Sequence, residues 1–178
     1  MINLMQKGLP DTVLIGGELF SVHTDFRIWM RFCQNYETWN RKEDLDIAFV
    51  FKEMVPCIRT AEDMGNILKF AYPPSVVPKD SGEGSARILD YEIDSDYIYS
   101  AFLGQYGIDL AETDMHWHKF RALLRGLNDS TRLHEIMGYR CYEGKEKELL
   151  KLRNTWEIPV EMTEEEHQAK EEFDDYFG

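Results

Sequence analysis

Residues 96–140 read DYIYSAFLGQYGIDL (96–110), AETD (111–114), MHWHKFRALLRGL (115–127) and NDSTRLHEIMGYR (128–140), and this stretch decides the fold. Its apolar residues recur three and four apart, the period of an amphipathic helix. Ile98, Tyr99, Phe102, Leu103 and Tyr106 share one face of a helix that Asp94 or Ser95 can cap, with Gly107 in the C′ position that favours glycine. Thr113 is placed to cap a helix over 114–127, with His116, Phe120, Leu123, Leu124 and Leu127 on one side and Trp117 bordering them. Asp129 or Ser130 opens a short helix through Leu133, Ile136 and Met137.

Working outward toward the C-terminus, a helix at about 144–156 carries Leu149, Leu150, Leu152 and Trp156. From residue 161 the composition changes, with eight acidic residues and one lysine up to residue 178. Thr163-x-x-Glu166 makes a capping box there, and Phe173, Tyr176 and Phe177 punctuate the acid. Such a tail either solubilises the chain, or docks its aromatic side on a basic surface: the arginines between Arg121 and Arg140, or a basic stretch of a partner.

Toward the N-terminus, residues 73–87 (PPSVVPKDSGEGSAR) carry three prolines and two glycines and read as a long mobile loop. Thr60-x-x-Asp63 resembles a capping box for a helix with Met64, Ile67, Leu68 and Ala71 as its stripe. A helix is expected from Asp44 to about Met54, stopped by Pro56. Thr24 or Asp25 caps another over 25–36, where Phe26, Trp29, Phe32, Cys33 and Tyr36 lie opposite Arg27, Arg31 and Gln34. Gly16-Gly17 between Val13-Leu14-Ile15 and Glu18-Leu19-Phe20-Ser21-Val22 predicts a tight β-hairpin, which must pack on the helices to persist. The expectation is a mainly α, compact multi-helix domain over 1–160 with an N-terminal β-hairpin, followed by an acidic tail at 161–178.

Composition narrows the function. The 178 residues carry a formal net charge of −13, which disfavours nucleic acid as a partner. No apolar run approaches the ~20 residues of a membrane span, and the first residues lack a signal-peptide pattern, so a cytoplasmic location is expected. Three scattered cysteines without C-x-x-C argue against a disulfide framework or zinc ribbon.

His116-Trp117-His118 is the most conspicuous cluster. On a helix, residues two apart point about 200° away from each other, so the two histidines are not expected to share an ion, and His118 is expected at the surface beside Arg121 and Arg125. The acids Asp90, Glu92, Asp94 and Asp96 lack the glycine and terminal glutamate of a calcium loop and read as solvated or dipole-stabilising. The run Glu164, Glu165, Glu166 and His167 reads as a solvated acidic stretch. No phosphate loop, dinucleotide fingerprint or G-x-S-x-G occurs, so no catalytic or metal residue is assigned and no cofactor is expected. The candidate partner-binding residues are Trp39, set in a polar stretch, Trp117, Arg121 and Arg125, and the tail aromatics Phe173, Tyr176 and Phe177.

The segments DYIYSAFLGQYGIDL, MHWHKFRALLRGL and NDSTRLHEIMGYR, with VLIGGELFSVHTDFRIWMRF near the start, resemble a small siphophage protein family encoded near the tape-measure gene in phages and prophages of Gram-positive bacteria. The resemblance covers most of residues 10–156. It departs at Trp117-His118, where the family often has two adjacent aromatics. The resemblance implies a tail-assembly chaperone acting in the host bacterial cytoplasm, with the tape-measure protein as partner and no catalytic residues. A structural component retained in the virion is one alternative, and a small cytoplasmic hydrolase or metal enzyme is another.

Overall fold

The computed structural model describes residue 2 and residues 5–39, 45–73 and 87–159. Within them the chain runs as hairpin strands β1 (Thr12–Ile15) and β2 (Glu18–Ser21), then helices α1 (Phe26–Thr38), α2 (Ala61–Ala71), α3 (Ser95–Tyr106), α4 (Trp117–Arg125), α5 (Arg132–Arg140) and α6 (Lys147–Trp156). The fold is mainly α with an N-terminal β-hairpin, as the sequence indicates. The expected loop lies almost wholly at 74–86 and the acidic tail at 161–178, both outside the described residues.

The hairpin turns on Gly16 and Gly17, at φ 57° and 87°. Two consecutive positive φ values suit a two-residue turn whose twist matches the strands. Ile15 pairs with Glu18 and Leu14 with Leu19 across it. Val13 and Ile15 face the core, whereas Leu14 and Leu19 are 46% and 69% exposed. The turn is anchored by Asp63 of α2, which accepts from Gly16 N–H at 2.9 Å. Asp63 also completes the capping box with Thr60, so one buried carboxylate joins hairpin to helix. The α2 stripe is rotated from the expected one: Ile67, Phe70 and Ala71 are buried, while Met64 and Leu68 are half-buried.

The helix expected over 44–54 is not formed by the described part of that segment. Only Ala48–Val50 makes a single 3₁₀ turn. Phe51 then runs extended and bridges Val22, with Lys52 N–H donating to Ser21 O at 3.1 Å. The run Phe49-Val50-Phe51 is β-prone, and pairing with the end of β2 satisfies its backbone without a helix.

Asp25 caps α1 by accepting from Arg27 N–H at 2.9 Å. Phe26, Trp29, Phe32 and Cys33 are buried, as the helical wheel predicts. Gly107 closes α3 at φ 65°, its N–H donating to Leu103 O. The buried face of α3 is Ile98, Ala101 and Phe102, and Leu103 is 43% exposed instead of facing inward. Phe120 lies at the centre of the core, stacked at 4.8 Å on Phe26, 5.1 Å on Phe102 and 5.8 Å on Trp117. α5 starts at Arg132 behind a Thr131 cap, later than Asp129 or Ser130 would set it. α6 buries no residue fully and packs along α5.

Candidate partner-binding surface

The start of α4 differs from the expectation in a way that rearranges the conspicuous histidines. α4 begins at Trp117, and its cap is His116, not Thr113. His116 is extended because it forms an antiparallel bridge with Asp25, with Phe26 N–H donating to Met115 O at 3.0 Å and Trp117 N–H to Thr24 O at 2.7 Å. His116 Nδ1 accepts from His118 N–H at 3.0 Å. That leaves the proton on Nε2, which donates to Pro10 O at 2.9 Å.

His118 is 4% exposed, not at the surface as expected. Its Nε2 lies 2.9 Å from Phe70 O, and its Nδ1 has no hydrogen-bond partner among the described residues. Burial pushes its pKa down to about 4, against the hydrogen bond to Phe70 O that raises it. Burial also lowers His116. Because His116 precedes the helix, the two rings are neighbours, with centroids 5.2 Å apart. Both serve as neutral structural donors. Among the described residues, no group of three or more His, Cys, Asp or Glu is placed to hold a metal ion.

The expected partner contacts separate. Trp117 is fully buried, its Nε1–H donating to Ala71 O at 2.9 Å, so as folded it is a core residue and offers a partner nothing. Trp39 is half-exposed at the end of α1, 6.4 Å from the ring of Tyr36. Phe173, Tyr176 and Phe177 lie outside the described residues. Arg121 is half-buried and Arg125 exposed. The Arg121 guanidinium lies 5.4 Å from the ring centroid of Tyr72 and 5.6 Å from that of Trp117, and NH1 donates to Ala71 O.

The arginines further along do not extend this patch. Arg132 pairs with Glu135 at 2.6 Å and lies over Trp156. Arg140 is buried, and its fork donates to Asp94 at 2.6 and 2.9 Å, with further bonds to Ile88 O and Trp156 O. Asp94 in turn accepts from Asp90 N–H. Asp90 is buried too, and accepts from Gln34, Glu92 and Ile93 while pairing with Arg87 at 2.9 Å. Burial opposes its charge, but the bonds from Ile93, Gln34 and Glu92 outweigh it and hold the carboxyl below its ordinary range. So two of the four alternating acids, read as solvated, are internal. Their four-residue spacing at the head of α3 is the one signal in the sequence, and the Arg140 partner of Asp94 lies 46 residues away.

These groups floor a groove of about 580 Å³ between α1, the turn before α3 and the end of α6, with Glu37, Arg153 and Pro159 on its rim. Glu37 accepts from Tyr72 Oη–H at 3.0 Å and from Arg87 at 3.0 Å. Cys33 is buried on α1, and burial pushes its thiol up to about 12, so it stays protonated. Arg87, Glu37, Asp90 and Arg140 each have an oppositely charged partner within 3.0 Å, and groups committed to such pairs suit a structural or docking role better than proton transfer. No helix among the described residues is long and apolar enough to cross a membrane.

The described residues define a mainly helical protein with an N-terminal hairpin, its deepest charges paired within the fold. The model of the family described as Bacteriophage Gp15 protein matches residues 5–158, and the chain belongs to that family. No curated protein and no solved structure matches it.

Proposed function

We propose that the protein acts in phage tail assembly as a chaperone that binds the tape-measure protein and keeps it from aggregating. The observation that carries this reading is membership of a bacteriophage family across residues 5–158, taken with the sequence resemblance to proteins encoded beside tape-measure genes. Physical logic supports it. A long apolar helical chain aggregates until the tail tube encloses it, and a small acidic partner bound along it keeps it dispersed. The hairpin offers a suitable contact, since Leu14 and Leu19 are cross-strand partners with exposed side chains.

Co-expression tests it. The tape-measure product of the same phage should move from the insoluble to the soluble fraction with this protein and co-purify with it. Leu14→Ser with Leu19→Ser should weaken that effect. Mass spectrometry of purified particles separates the alternatives: a chaperone is absent or scarce, whereas a structural component is present in fixed copy number. A tape-measure protein equally soluble with and without this chain sinks the proposal.

A further inference from the structure

We propose that the α4 face carrying Arg121 and Arg125 is a docking surface for the protein's own acidic segment, residues 161–178. Arg121 and Arg125 are four apart on α4 and so share a face, where like charges repel. Arg27, Arg87, Arg132 and Arg140 each have a carboxylate within 3.0 Å. Among the described residues Arg121 and Arg125 form no ion pair, and of the arginines without one (Arg31, Arg59 and Arg153 are the others) only these two stand one turn apart on the same helix. Arg121 is the costlier of the two, because it is half-buried. It spends NH1 on a carbonyl and rests against two aromatic rings. The rest of its planar fork remains available, in the geometry that carboxylates fill best.

The occupant follows from charge and reach. Residues 161–178 hold eight acids against one lysine, and Glu171-Glu172 and Asp174-Asp175 bracket Phe173. The described chain stops at Pro159, on the rim of the groove that Glu37 also lines. Glu37 bonds Tyr72, and the Tyr72 ring underlies Arg121. Arg121 is therefore about one tyrosine beyond the groove. The dozen residues from 160 to 171 reach about 40 Å when extended, which is ample for that span. Beside the arginines, half-buried Tyr91 meets Trp117 edge-on at 6.1 Å and gives the tail aromatics a surface to rest on. A partner using this face has to displace the tail.

Nuclear magnetic resonance on the full chain tests it, through heteronuclear NOE values and chemical shifts of residues 171–177. In the unaltered protein at low salt these values should show restricted motion, and high salt should abolish it. Arg121→Gln with Arg125→Gln should release the segment to free-peptide values. Arg125→Gln alone, at an exposed position that leaves the fold intact, should lose about half the restriction. Lys145→Gln with Lys147→Gln removes equal charge elsewhere and should change nothing. Tail values that are identical in the unaltered and doubly substituted proteins overturn the proposal. Restriction that grows with protein concentration assigns the contact to a second copy and overturns it as well.

Discussion

Asp25 and His116, the caps of α1 and α4, face each other across a single antiparallel bridge, so two helices that lie far apart in sequence begin side by side. The bridge fixes His116 in an extended conformation, and its ring then closes the first turn of α4 through His118 N–H. His116→Ala removes this cap and the bond to Pro10. The expected loss is about 1–2 kcal/mol, the range for losing a helix cap. His116→Asn keeps a capping acceptor and should lose less. Urea denaturation of the three proteins measures the order, and equal midpoints would discard the capping role.

Arg140 and Asp94 form the deepest charge pair in the described structure, at 4% and 1% side-chain exposure. Removing one member strands the other. Arg140→Ala or Asp94→Ala should each cost about 3–5 kcal/mol. The paired change Arg140→Met with Asp94→Ala leaves no orphan charge and should recover part of that loss. A double variant whose loss equals the sum of the single losses contradicts the coupling.

Aromatic stacking makes a graded prediction. Phe120 touches Phe26, Phe102 and Trp117 within the core. Phe120→Ala and Phe102→Ala should each cost about 3–5 kcal/mol. Leu124, placed on the core face by its spacing, is only half-buried and should cost less, and Leu103→Ala should be close to neutral. Thermal or chemical unfolding of the four variants ranks them. Leu103→Ala as damaging as Phe102→Ala would reverse the assigned face of α3.

The contrast between Phe102 and Leu103 shows what the sequence could and could not convey. Local chemistry was legible: the Gly16-Gly17 turn, the Thr60–Asp63 box, the Gly107 stop and the buried face of α1 each depend on residues close together in the chain. Features set at long range were not. β-bridges with Val22 and Asp25 displaced the helix expected over 44–54 and delayed α4 to Trp117. Helical spacing alone puts His118 at the surface, whereas the carbonyl that holds it inside, Phe70 O, lies 48 residues away. At the candidate surface, Arg121 and Arg125 stood out by charge alone. That Arg140 belongs to the interior while Arg121 lacks a carboxylate needed the fold.

The histidines also predict how acid unfolds the protein. His118 has a folded pKa of about 4 against an ordinary 6.5, because burial penalises its charged form. The unfolded chain therefore binds more protons than the folded one between those values. Stability is complete above about pH 6.5 and falls as the pH drops toward 4. For His118 the loss is on the order of 2–3 kcal/mol, and His116, also lowered by burial, adds in the same direction. Asp63 is held below the ordinary carboxylate range, first by the hydrogen bond from Gly16 N–H. Its contribution, and that of Asp90, is lost only at lower pH, as the solution passes through their depressed folded values. The two windows are separable by experiment. Denaturation midpoints between pH 7 and 4.5 should fall steadily in the unaltered protein. His118→Gln can still donate to Phe70 O but does not titrate, so its midpoint should fall less steeply over that range. Parallel slopes for the two proteins would show that His118 carries no part of the acid response.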